Sequence, residues 1–213
     1  MKNENQEINE TIKRTQRYWY VDGFAEIGVG ILLMLIILFN YAAGLVRQPA
    51  LQVILFTLGM PALIILGGRA VSRVVVRLKE KYTYPRTGYI SYPRKAGSQR
   101  WKRALLAAAL GALVGGLTSL LSGKLPPVYQ QIFVSVMIAL AYIYVGYSLG
   151  LKRFYLFAAA CLALLGIARL AGAEETDFFL LFFLGQGLVW IISGIFALRA
   201  YLHATQPPLE EEA

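Results

Sequence analysis

Six long apolar stretches constrain this chain more than any other feature. They cover residues 22–45, 50–70, 104–121, 129–149, 154–171 and 177–201. A helix needs about 20 apolar residues to cross roughly 30 Å of hydrocarbon, and each stretch is near that length. Hydrophobic residues make up 57% of the sequence and charged residues 15%, against about 45–50% and about 25% in ordinary soluble chains. A soluble fold of 213 residues has too little interior to hide so much apolar surface. A disordered chain would be poor in aliphatic and aromatic residues. The runs are continuous and do not alternate with a period of two, which excludes a transmembrane barrel. The expected fold is therefore an all-α integral membrane protein, a six-helix transmembrane bundle.

Lysine and arginine set its expected direction. Eighteen of the twenty-one basic residues fall in the N-terminal segment, the connection from Arg69 to Arg103, the turn Lys152-Arg153, and Arg199. Only Arg47, Lys124 and Arg169 fall on the other side. Basic residues resist translocation, so both termini and the long connection are expected in the cytoplasm. The first stretch is too long for the core of a cleaved signal and is expected to stay as an anchor. The absence of lipidation or retention signals and the short loops suit the cytoplasmic membrane of a bacterium. The chain then divides into an N-terminal segment (1–21), two spans (22–70), a basic cytoplasmic loop (71–103), four spans (104–201) and an acidic tail (202–213).

The global charge of +9 is a property of one segment. Residues 69–103 hold eleven basic residues and one acid, Glu80. Arg69, Arg73, Arg77 and Lys81 recur every four residues and line one helix face. That face either extends the second span into the cytoplasm or lies along anionic head groups, where each basic residue contributes about 1 kcal/mol. Further on, Tyr-Pro-Arg occurs twice, at 84–86 and 92–94. Pro85 and Gly88 suit a β-turn, and residues 82–84 and 89–92 favour strands, so a small hairpin is expected there. The expected lipid or partner contacts are Arg69, Arg73, Arg77, Lys81, Tyr84, Arg86, Tyr89, Tyr92 and Arg94. No nucleic-acid motif accompanies the charge, and nucleic acid is not expected as a partner.

The segments Arg17-Tyr18-Trp19-Tyr20-Val21-Asp22-Gly23 and Tyr84-Pro85-Arg86-Thr87-Gly88-Tyr89 resemble uncharacterised bacterial multi-pass membrane proteins. The likeness covers about the first hundred residues. It implies a bacterial membrane protein and carries no activity.

Ionisable groups inside spans are the default place to look for function. Asp22 and Glu26 share a face near the start of the first span, and an intramembrane ion pair with Arg69 is expected to neutralise them. Arg169 is expected to reach the outer surface toward Glu174 or Glu175. Gln186 is expected to bond a neighbouring helix, Cys161 to serve as a small packing residue, and His203 to be solvated. Pro61 is expected to kink the second span. Gly111-x-x-x-Gly115, Ala112-x-x-x-Gly116 and Gly146-x-x-x-Gly150 permit close helix approach, as do Ala159, Ala163 and Gly166. Gly23-x-x-x-Ile27-x-x-Gly30-Ile31 is repeated as Gly187-x-x-x-Ile191-x-x-Gly194-Ile195. These residue types are so common in membrane helices that the repeat sets no expectation.

No nucleophile–base arrangement, phosphate loop or metal-ligand spacing is present, and the single cysteine excludes a disulfide within the chain. No catalytic residue, metal or cofactor is expected. The expected role is a non-enzymatic accessory or docking component that contacts anionic lipid or a protein partner through the basic loop. The alternative is a small-solute or ion permease using Asp22, Glu26, Arg69 and Gln186. Topology is directly testable: a reporter fused after Tyr89 should be active only inside the cell, and one fused after Lys124 only outside.

Overall fold

A computed structural model of the protein describes residues 19–87, 116, 124 and 126–205. Among these residues there is no strand, and five helices are long and apolar enough to cross a membrane. They are α1 (Phe24–Gly44), α2 (Pro49–Tyr82), α3 (Pro127–Leu149), α4 (Arg153–Leu170) and α5 (Glu175–Ala204). This architecture is compatible with a multi-pass membrane protein. The sixth expected span, 104–121, lies outside the described residues except for Gly116, which is helical.

The ends of α2 are set by its prolines and its charges. Pro49 occupies the first turn, where a missing N–H has no partner to lose. Pro61 also lacks an N–H, and its ring would collide with a carbonyl one turn back in a regular helix. The chain meets this with a π-helical turn, Leu55–Gly59, in which the Met60 N–H donates to the Leu55 carbonyl. The wider turn accommodates the proline within the continuous helix. Beyond the apolar part α2 runs on to Tyr82 without a break, so the basic row extends the second span. Tyr84–Thr87 form one helical turn, which replaces the strand expected at 82–84. The other strand, 89–92, lies outside the described residues.

The bundle has a basic end and an opposite end. Asp22, just before α1, contacts Lys79 near the close of α2. Glu26 contacts Arg153 at the start of α4, and Tyr201 near the close of α5 donates to the Thr83 carbonyl. At the opposite end, Arg169 of α4 donates to Gln131 of α3. Hence α2 finishes at the basic end and α3 begins at the other. The α3–α4 hairpin turns on Gly150, whose φ of 66° is left-handed. The Leu151 N–H there returns to the Gly146 carbonyl.

The most extensive helix pairing joins α1 to α5, and the repeated Gly/Ile motif is its seam. Gly23 has a φ of 74°, and a Cβ there would run into the Gly194 carbonyl. A Cβ on Gly30 would lie 2.6 Å from the Gly187 carbonyl oxygen and 2.7 Å from Ile191. One on Gly194 would lie 2.7 Å from Ile27 and 2.8 Å from the Gly23 carbonyl oxygen. The first glycine of each copy thus faces the second glycine of the other, and Ile27 and Ile191 each lie against the second glycine of the opposing copy. That is a local two-fold relation between antiparallel helices, with the backbones close enough for carbonyl contact. Ala159, Ala163 and Gly166, expected at such a contact, instead face outward. The buried small residues of α4 are Ala158, Cys161 and Ala168.

Gly30→Ala and Gly194→Ala should each lower stability by about 1–3 kcal/mol, because each new Cβ would meet backbone atoms that no rotamer change moves. Gly166→Ala, with open space around it, should be neutral. Thermal unfolding in detergent distinguishes these outcomes.

Candidate functional site

Most of the buried charge described here gathers at the basic end. Asp22 precedes α1, and its Oδ1 accepts the Phe24 backbone N–H at 3.3 Å. This satisfies one of the orphan donors that open every helix. Its Oδ2 lies 2.7 Å from Lys79 Nζ and accepts the Thr83 hydroxyl at 2.9 Å. The Lys79 ammonium also sits over the Trp19 ring, 5.2 Å from its centroid, where the π face favours a cation. Asp22, Lys79 and Thr83 are all buried.

One turn along α1, Glu26 forms the second pair. Its Oε1 lies 2.8 Å from Arg153 Nε, and its Oε2 accepts the Ser193 hydroxyl at 2.9 Å. Arg153 also donates to the Tyr20 carbonyl. Burial, reinforced by the Glu26 carboxylate and opposed by Arg153, pushes the Tyr20 phenol above its ordinary pKa. Four helices therefore meet in one charged layer: α1 and the residue before its cap supply the acids, α2 and α4 the two cations, and α5 a hydroxyl.

Arg69, the expected partner of Asp22 and Glu26, is exposed on α2 and is not the residue that neutralises them. The reason is rotational. Val75 and Lys79 are buried toward α1, and Gly28 of α1 meets Val71. Arg69, Arg73, Arg77 and Lys81 lie two residues out of step with that row, about 200° around the helix. All four are exposed, and an open groove of about 330 Å³ runs among Ser72, Arg73, Val76, Arg77 and Glu80. Tyr84 is half-buried, and Arg86 belongs to the short helical turn. Tyr89, Tyr92 and Arg94 lie outside the described residues.

Below the charged layer the interior is aromatic. Phe157 stacks on Trp190 at 4.6 Å between centroids, and Phe154 meets Trp190 edge-on at 5.7 Å. The Trp190 indole N–H donates to the Tyr142 hydroxyl at 2.9 Å. Toward the opposite end Phe178 and Phe182 are fully buried. Gln186 bonds the neighbouring helix through Cys161 Sγ at 2.9 Å, while its Oε1 and the Ser135 hydroxyl, both buried, have no partner among the described residues. Arg169 reaches Gln131 at 3.0 Å, and so bonds another helix where Glu174 or Glu175 was expected. A cleft of about 380 Å³ opens near the opposite end among Ile37, Asn40, Tyr41, Phe56, Phe179 and Leu180. Among the described residues no three His, Cys, Asp or Glu side chains come together as a metal-binding group.

Sequence reasoning located Asp22 and Glu26 but missed Lys79, Thr83, Arg153 and Ser193. The missed signal was the row Val71, Val75, Lys79, Thr83, a second series at intervals of four that carries the buried face. No protein-family model, curated protein or solved structure matches this chain.

Lys79→Met should cost about 3–5 kcal/mol, because it strands Asp22 in a buried site. Adding Asp22→Asn should recover much of that loss. Thermal unfolding of the single and double variants measures both values, and equal stability of the two would contradict the pairing.

Proposed function

We propose that the protein is a non-enzymatic multi-pass membrane protein that offers the basic face of α2, and the segment after it, to an anionic lipid or protein partner in the cytoplasm. The observation that carries this reading is the separation of charge on α2. Its inward row is neutralised within the bundle through the Asp22–Lys79 pair, whereas Arg69, Arg73, Arg77 and Lys81 point away from it. With both carboxylates of the first span engaged internally, the outward cations remain available to an external anion.

The cytoplasmic placement, six crossings and a bacterial inner membrane belong to the same reading. Support comes from the eighteen basic residues on one side. Further support is that α2 ends and α3 begins at opposite ends of the bundle, as the sixth crossing of this reading needs. The permease alternative is less well supported. Asp22 and Glu26 are paired and buried, Gln186 bonds Cys161, and Tyr142, Phe154, Phe157 and Trp190 occupy the interior beneath the charged layer.

Copurification tests the proposal. Replacing Arg73, Arg77, Lys81, Arg86 and Arg94 with glutamine should reduce the anionic phospholipid and protein recovered with the full chain by severalfold, and raised salt should do the same to the native chain. Unchanged recovery of both from a stably folded variant would refute it.

A further inference from the structure

The helix register places part of the basic row deeper than a head-group contact requires. Gly28 of α1 lies against Val71, and Gly67 of α2 lies against Leu32. Gly30 of α1 is in turn level with Gly187 and Ile191 of α5. Arg69 therefore sits at the height of Gly30 and Gly187, and Arg73 one turn nearer the basic end, level with Glu26 and Ile191. At these heights the outward side chains of the other two helices are apolar: Ile31 is 45% exposed, Leu188 48% and Ile192 51%. Measured along α2, Arg73 is about 9 Å and Arg69 about 15 Å further in than Lys79, at 1.5 Å per residue.

An arginine at hydrocarbon depth needs a counter-charge that can reach it, and a soluble protein cannot follow it below the interface. A lipid phosphate can, because the arginine extends upward while the bilayer thins locally to meet it. We infer that Arg69 and Arg73 form a binding site for the phosphate of an anionic phospholipid drawn inward along α2, with Ser72 beside them as a hydroxyl donor. Arg77 and Lys81 lie nearer the surface, and Glu80, the one acid of residues 69–103, is within a turn of Arg77. The deep pair is thus the part of the row furthest from a competing carboxylate on its own helix. This rests on the docking reading above and selects lipid as the source of the anion at these two residues.

The purified full chain is titrated with phosphatidylglycerol or phosphatidylcholine and the bound lipid counted by native mass spectrometry, with soluble polyphosphate as a parallel arm. The native chain should prefer phosphatidylglycerol by roughly thirtyfold, the scale expected of two basic groups at about 1 kcal/mol each at an anionic surface. Arg69→Gln with Arg73→Gln should abolish that preference and leave polyphosphate binding nearly intact. Arg77→Gln with Lys81→Gln should mainly weaken polyphosphate. Arg69→Lys with Arg73→Lys, which keeps the charge and the reach, should restore the lipid preference. A preference that survives Arg69→Gln with Arg73→Gln would overturn the site while sparing the docking reading. So would loss of thermal stability in that variant with no change in lipid preference, since the arginines would then serve packing. A native chain that binds neither phosphatidylglycerol nor polyphosphate selectively would overturn both.

Discussion

Two carboxylates buried at one end of a membrane bundle dictate much of what surrounds them. An ionised Asp or Glu out of water is tolerable only with a cation and hydrogen bonds in place. Asp22 and Glu26 obtain theirs from three other helices: Lys79 and Thr83 of the α2 end, Arg153 of α4, and Ser193 of α5. Satisfying both at once fixes the rotation of α2 and the height of the α3–α4 turn. It also sets the slide of α1 along α5. The glycine seam agrees with that slide, because Gly23 can meet Gly194 only when Glu26 is within reach of Ser193. Such pairs are weak sources of net stability but strong sources of register.

The same arrangement sorts charge by direction. A helix that must aim Lys79 inward turns residues two positions away outward, and in α2 those residues are basic. The bundle consequently has an interior neutralised by its own groups and an outer row of cations with no described carboxylate facing it from another helix. Beneath the charged layer, Trp190 packs with Phe154, Phe157 and Tyr142. On the proposed reading, the outer row is what attracts an anion to the surface of one helix.

Much of the fold was legible in the sequence because its determinants are linear. Long apolar runs gave the helices, and Lys152-Arg153 with Gly150 gave the tight hairpin between α3 and α4. The four-residue recurrence of Arg69, Arg73, Arg77 and Lys81 identified a helix correctly, but not the direction in which that face points. Partner choice was not legible, since it depends on rotation and on which helices are neighbours. Arg153 read as a loop residue that sets topology, yet it reaches back to Glu26 and Tyr20. Arg69 read as the natural partner because the α1–α2 connection is short, but helix rotation points it away. The Gly23 and Gly187 repeat was visible and carried no weight alone, because glycine and isoleucine are abundant in membrane helices. Its meaning lies in the antiparallel pairing. Pro85 suggested a turn between strands, whereas it sits in the first turn of the short helix Tyr84–Thr87, where its missing N–H has no partner to lose.

The most direct test is a pair of double-mutant cycles on Glu26, with unfolding free energies measured for each single and double variant. One cycle combines Glu26→Gln with Arg153→Gln, the other Glu26→Gln with Arg69→Gln. Coupling of about 1–3 kcal/mol between Glu26 and Arg153, with coupling to Arg69 within about 0.5 kcal/mol of zero, is the predicted result. Strong coupling to Arg69 and none to Arg153 would contradict it.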